Sequence, residues 1–486
     1  MTNESEQSKF ESDASAPEHT TSRRGFIKTA AAATAGAALV GSSSKWWVGP
    51  TQVLAASDDA RQFAGVTLTV ATVDNPQMLD MESLTSVFTQ KYGINVKYVT
   101  LTENDVRSKV TTDVATNAGQ FDLATVGTYE VPDWAKHGWV VNLDPYFKKL
   151  PAADAAAYDE KDLLAKVRLG LSYKNSLYAL PFYGESSFLM YNKAILKAAG
   201  ITMPTHPTWD QVAAWAKQLT DRSKGQTGII LRGLPGWGEM GAPLTTVINT
   251  FGGEWFDMNW KPQINTGATK EAITFYLNLL KNYGEPGAAN AGFTECERTL
   301  AQGKGAMWID ATSASGLITD AKQSKVASDV GFAFAPTKVT PNGSHWLWAW
   351  SLVMESSGKN KDAAFTFLRW ATSKEYIALV GAKKGWGNVP PGTRTSTFMN
   401  PSYQKAAPYW KLILDSMNTA DPTHATLNKV PYTGVQFVGI PEFAQIGDRV
   451  TQNLSGVLSG GTSIDDALNL SQSQTERIMR QSGYLK

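Results

Sequence analysis

The segment Gly65 to Val73, "GVTLTVATV", is a β-branched run with the composition of a buried strand, and the elements after it decide the fold. Leu79 to Tyr92 carries apolar residues at helical spacing, and "INVKYVTL" (94–101) is a second strand. Glu103 to Thr116 reads as a helix, and "FDLATVG" (121–127) as a third strand. Strands alternating with helices predict an α/β fold built on a mostly parallel sheet. Ligands of such sheets sit outside the carboxyl ends of the strands, which here carry Val73-Asp74-Asn75 and Thr128-Tyr129-Glu130.

Downstream the pattern returns with other lengths. "WDQVAAWAKQL" (209–219) is an amphipathic helix, "GIILRG" (228–233) a strand and Ala268 to Tyr283 a helix. "GAMWIDAT" (305–312), "VGFAFAP" (330–336) and "HWLWAWSLVM" (345–354) read as further strands. The chain is then helical from Ala363 to Lys384, breaks at "GWGNVPPGTR" (385–394) and ends in helices. Its length and its 42% hydrophobic residues suit two domains, or one very large one, with large cores.

Upstream, Met1 to Thr21 is a polar leader, and Ser22-Arg23-Arg24-Gly25-Phe26-Ile27-Lys28 precedes an uncharged, Ala-rich run from Thr29 to Ser44. That run is too short and too weakly apolar to span a bilayer, which takes roughly 20 apolar residues. With small residues near "VLAAS" (53–57), residues 1–56 read as a leader and signal peptide. Arg23 and Arg24, with Phe26 and Lys28 behind them, resemble the Tat export consensus, an address read by the export machinery. No cysteine follows the apolar run, so a soluble periplasmic protein without a lipid anchor is expected.

A net charge of +1 with 18% charged residues gives no electrostatic case for nucleic acid or an anionic membrane. The histidines at 19, 137, 206, 345 and 424 are scattered without metal-ligand spacing, so no metal is expected. Cys296 stands alone and cannot form an internal disulfide. It reads as a small packing residue; the alternative, a nucleophile, lacks an assignable histidine partner.

Gly236-Trp237-Gly238-Glu239-Met240-Gly241 matches the dinucleotide fingerprint and follows a predicted strand. The strand does not open an N-terminal βαβ unit, and Glu254 and Asp257 fit the acidic position only loosely, so the motif reads as a glycine-rich ligand loop carrying Trp237 and no cofactor is expected. No nucleophile elbow or zinc signature is present. Asp74, Glu130, Glu185 and Asp310 stand at candidate strand ends, where a pair of carboxylates can in principle hydrolyse glycosides. For any one of them the plainer role is a solvated or capping acid, with ligand hydrogen bonding next.

"LYALPFYGESSFLMYNKAIL" (177–196) resembles the first lobe crossing of extracellular solute-binding proteins of sugar-importing ABC transporters. "QFDLATVGTYEVPDWAKHGWV", "LRGLPGWGE", "GAMWIDAT", "WLWAWSL", "GWGNVPPGTRTS" and "DPTH…VPYTGVQFVGIPEF", in that order, resemble the sorbitol- and mannitol-binding branch. The resemblance implies a two-lobe, type II-like α/β fold that closes by a hinge on one ligand, with no enzymatic activity. One lobe would hold 63–180 and 352–385, the other 186–344 and 400–486, with crossings near 179–186, 344–351 and 386–399. It further implies a monomer that delivers a polyol or related monosaccharide to ABC permease subunits. The alternative is a Tat-exported periplasmic carbohydrate enzyme, an oxidoreductase or a glycosidase.

The family's ligand loops carry over position by position. Asp74 and Asn75 would face the cleft from the first strand, and Tyr129 and Glu130 from the third. Tyr183 and Glu185 lie on the first crossing, Arg232 and Trp237 on the loop of the second lobe, and Asp310 at the end of "MWID". Trp386, Asn388 and Arg394 lie in the third crossing loop, where Arg394 has a structural ion pair as its other reading. The chemistry fits: each polyol hydroxyl donates and accepts, so carboxylates, Arg and Asn can all hold it, while its C–H edges pack on aromatic faces.

In "SHWLWAWS" (344–351), Trp346, Trp348 and Trp350 alternate, so a strand would point all three to one face. Trp346 and Trp350 would then lie about 13 Å apart, farther than a six-carbon polyol reaches. The stripe is therefore divided: Trp348 is the expected ligand contact, and Trp346 and Trp350 are expected to pack.

Overall fold

The computed structural model describes residues 61–340 and 345–486. Arg23, Arg24, the rest of the leader and Ser344 lie outside the described residues. The first sheet begins with β1 (Thr67–Val73), β2 (Asn95–Leu101) and β3 (Leu123–Gly127), paired in parallel about a central β1. α1 (Pro76–Tyr92) connects β1 to β2; it starts on Asn75, whose side chain accepts the Met78 N–H, with Pro76 in the first turn where no donor is lost. α2 (Glu103–Thr116) connects β2 to β3; Thr102 caps it by accepting the Asp105 N–H, and Asn117 ends it in the left-handed region. α3 (Glu130–Lys136) follows β3, and a small hairpin, β4 (Ser172–Tyr173) with β5 (Ser176–Leu177), leads on to β6 (Ala179–Glu185).

A single residue, Ser186, separates β6 from β7 (Ser187–Asn192), the central strand of the second sheet. Its neighbours are β8 (Met307–Ala311) and β9 (Val330–Phe334), both antiparallel to it. The chain then re-enters the first sheet as β10 (Trp348–Met354), giving the order β2-β1-β3-β10-β6. β10 comes in where β6 leaves, with Trp348 opposite Glu185, so it runs antiparallel to both β6 and β3. The mostly parallel sheet expected from the sequence is thus confined to β1, β2 and β3.

Two expected strands are shorter or absent. The segment 228–233 forms no ladder, because the Gly228 and Ile229 N–H groups donate to the Tyr283 carbonyl at the end of a helix. Only isolated parallel bridges, Thr227 with Gly305 and Ile230 with Trp308, tie it to the second sheet. Residues 345–347 also stand outside β10: the Trp346 N–H donates to Ser187 Oγ, and Gln436 holds both the N–H and the carbonyl of Leu347. Trp348 to Ser351, expected in a crossing, are therefore strand residues of the first sheet.

Candidate functional site: an inner cavity between the two sheets

β1 ends at Asn75, whose amide is used twice. Its Oδ1 caps α1 and its Nδ2 donates to the Tyr183 hydroxyl on β6 at 3.0 Å. Beside it, Asp74 is exposed at the rim. Two residues past Tyr183 is Glu185, whose Oε2 accepts the Ser313 hydroxyl at 2.5 Å. Burial pushes this carboxyl from the ordinary 4.5 to about 8, against the lowering effect of Ser313, so it is protonated and a donor at neutral pH. The buried Tyr183 phenol is likewise pushed well above its usual range by burial and then by the Glu185 charge.

From the segment bridged to the second sheet comes Arg232, clamped in bidentate fashion by Asp310 at 2.8 and 2.6 Å. Its remaining nitrogen donates to the Gly238 carbonyl at 3.1 Å and reaches Glu239 at 3.4 Å. Burial and the nearby Glu103 charge push Glu239 up to about 7, against the lowering effect of Arg232. Asp310 also accepts from the Trp308 indole at 3.1 Å and is fully buried. It stands behind the cavity rather than on its wall, holding the guanidinium in place.

Asp74, Asn75, Tyr183, Glu185, Arg232, Trp237 and Trp348 line one inner cavity of about 300 Å³, within the range of small-molecule sites. Trp346 and Trp350 border it too. Division of the stripe by length holds for a straight strand through all three residues, and Trp346 precedes β10. The indole N–H of Trp346 is buried and meets no acceptor, leaving a donor for a ligand hydroxyl. Trp348 stands 5.6 Å from Trp350 and 5.9 Å from Trp237, both edge to face. Its ring lies over Gly127 of β3, where an added Cβ would overlap it.

The other candidates lie elsewhere. Tyr129 and Glu130 border an outer groove of about 1690 Å³. The Tyr129 ring packs 4.5 Å from Trp237 while its hydroxyl donates to the Ile440 carbonyl. Glu130 pairs with Arg107 and accepts the Gly127 N–H, so it supports the cavity wall without lining it. Asn388 borders a groove of about 660 Å³ on another side and donates to the Lys384 carbonyl. Trp386, in the short turn Trp386–Asn388, packs against Gly381 and lines none of these spaces. Arg394 is fully buried and donates to the carbonyls of Tyr158, Asp159 and Thr372, which makes it a structural clamp. The cavity also holds residues that sequence reasoning missed: Glu103 and Arg107 on α2, then Glu239, Arg298 and Gln436. The i,i+4 spacing of Glu103 and Arg107 is a legible signal, but it marks a helix-surface pair as readily as a site.

Residues 75–378 match the bacterial extracellular solute-binding protein family. The chain is 47% identical to the mannitol-binding protein of Pseudomonas aeruginosa, across 86% of this chain and 94% of that one. It is 26% identical to an erythritol/L-threitol-binding protein of Mycolicibacterium smegmatis, across 65% and 69%. It superposes with a TM-score of 0.83 on the crystal structure of an ABC transporter solute-binding protein from Agrobacterium vitis with bound D-mannitol, at 50% identity, covering 86% of this chain and all of that one.

Proposed function

The chain belongs to the bacterial extracellular solute-binding protein family, and from that premise we propose that its inner cavity binds a polyol of the mannitol or sorbitol type, or a related monosaccharide, by lobe closure. It is the substrate-binding component of an ABC importer, handing its ligand to the membrane permease. The observation that carries the reading is the inner cavity of about 300 Å³, in which three indoles of one chain segment meet Asn75, Glu185 and Arg232. The indoles exclude water and pack on C–H edges, while the polar groups offer both donors and acceptors to a row of hydroxyls. The relatives favour this reading over an exported carbohydrate enzyme.

In the proposed complex Asp74, Asn75, Tyr183 and Glu185 hold the ligand from the first lobe with Trp348, and Arg232 and Trp237 hold it from the second. A site divided between lobes is complete only when they close, so the ligand shifts the population toward the closed form. Thermal shift with mannitol, sorbitol, ribitol and glucose tests this. Stabilisation follows RT ln(1+[L]/Kd), about 2.7 kcal/mol at a hundredfold excess over Kd, and no shift with any of them at millimolar concentration sinks the polyol claim. The protein works as a monomer in the periplasm after Tat export. Arg23→Lys with Arg24→Lys should leave it in the cytoplasm on cell fractionation, and undiminished export would exclude the Tat route.

A further inference from the structure

The glycine-rich loop that resembles a dinucleotide fingerprint packs against the first turns of α2 across the cleft. Asn104 donates to the Pro235 carbonyl at 3.0 Å. A Cβ on Gly238 would collide with Glu103 Oε1, so the backbone there lies flush on the helix. Between the glycines, the Trp237 ring lies 4.2 Å from the Arg107 guanidinium, which also lies near the rings of Trp350 at 4.8 Å and Trp348 at 5.2 Å. Each partner is fixed within its own lobe. Arg107 is held by Glu103 and Glu130, whereas the Trp237 N–H donates to Asp448 at 2.8 Å and the Gly236 N–H to Thr451 at 2.9 Å.

Arg107 and Trp237 are the two residues that line both the inner cavity and the large outer groove. We propose that this pair is a latch: the stack of the Arg107 guanidinium on Trp237 forms only on closure, seals the cavity from the outer groove and sets how long the ligand stays. The latch rests on the polyol reading of the cavity. A cation–π contact strengthens as water is excluded from it. Because the latch forms after the ligand has entered, its loss falls on dissociation rather than on encounter. Toward the smaller groove the cavity is bordered by polar residues, among them Asp74, Thr294 and Arg298.

Stopped-flow tryptophan fluorescence with mannitol, on the full exported chain, tests the latch. Arg107→Lys keeps the charge but loses the planar stack, and Trp237→Leu removes the ring while leaving both carboxylates of Arg107 paired. In Arg107→Lys the dissociation rate should rise about tenfold or more with association within about threefold, and in Trp237→Leu, which also loses the ring held against the ligand, it should rise at least as far. Wild-type dissociation from both variants overturns the latch. If the wild type itself takes no polyol, the proposed function fails and the latch with it; polyol binding by the wild type with unchanged dissociation in both variants overturns the latch alone.

Discussion

Glu185 closes β6 with a carboxyl that the fold keeps protonated to about pH 8. Its folded pKa lies above the ordinary 4.5, so folding binds a proton that the unfolded chain releases. The stability this contributes is complete below about pH 4.5 and is lost as pH rises through about 8. Glu185→Gln keeps the shape and the donor but cannot titrate. Measured by urea unfolding between pH 5 and 9, the variant should gain on the wild type as pH rises; a constant difference would mean that Glu185 is already ionised at pH 5. Asp310 makes a different case, since it is the counter-charge of a buried guanidinium. Asp310→Ala takes the bidentate partner from buried Arg232, leaving only Glu239 at 3.4 Å, and should cost about 3–5 kcal/mol of stability. Polyol affinity should fall with it, as calorimetry on the folded fraction would show; unchanged affinity would remove Arg232 from the site. At this scale the sequence shows Asp74, Asn75 and Glu185 because strand ends in an α/β sheet mark where ligands go. It does not tell Asp310 behind the wall from Arg232 on it, because that depends on which of two paired side chains is nearer the cleft.

Among the elements, α2 is legible at its observed bounds, whereas α1, read from Leu79, starts three residues earlier at Pro76, where Asn75 caps it. The segment 228–233 reads as a strand from its composition alone, yet the carbonyl at Tyr283 takes its donors. No local pattern announces a partner 55 residues away. The tryptophan stripe fails for the same kind of reason: Ser187 and Gln436 intercept the backbone of residues 346 and 347 before the ladder begins. Arg394 shows an element held from outside. Its guanidinium joins the helix end at Thr372 to the turn at Tyr158 and Asp159. Arg394→Met strips donors from these carbonyls and should cost about 3 kcal/mol or more, given several charge-assisted hydrogen bonds of roughly 1.5–3 kcal/mol each. Chemical denaturation reads the loss. Polyol affinity in the folded protein should stay at the wild-type value, and a selective loss of affinity would return Arg394 to the ligand site.

For the whole molecule, the question is what balances the two lobes when the cavity is empty. The polar bonds across the cleft away from the cavity include Gln77 to the Ser313 carbonyl at 3.1 Å, Asn104 to Pro235, Tyr129 to Ile440, and Lys166 to the Asn418 and Ala420 carbonyls. Glu185 with Ser313 and Arg107 with Trp237 add contacts at the cavity itself. Exposed hydrogen bonds of this kind contribute about 0.5–1.5 kcal/mol each, offset by the cost of drying Arg232, Glu185 and Asn75 with no ligand hydroxyl to replace water. Open and closed forms should therefore differ by only a few kcal/mol, small enough for a ligand to shift the balance by its differential affinity. Small-angle scattering should show a radius of gyration that falls as mannitol is added and saturates at the stoichiometry found by calorimetry. Ribitol, one carbon shorter, should produce the same compaction with weaker binding, because closure depends on contacts from both lobes rather than on filling the cavity completely. Binding of mannitol with no change in dimensions would mean that the empty protein is already closed. The ligand would then enter through one of the two grooves beside the cavity rather than by lobe opening.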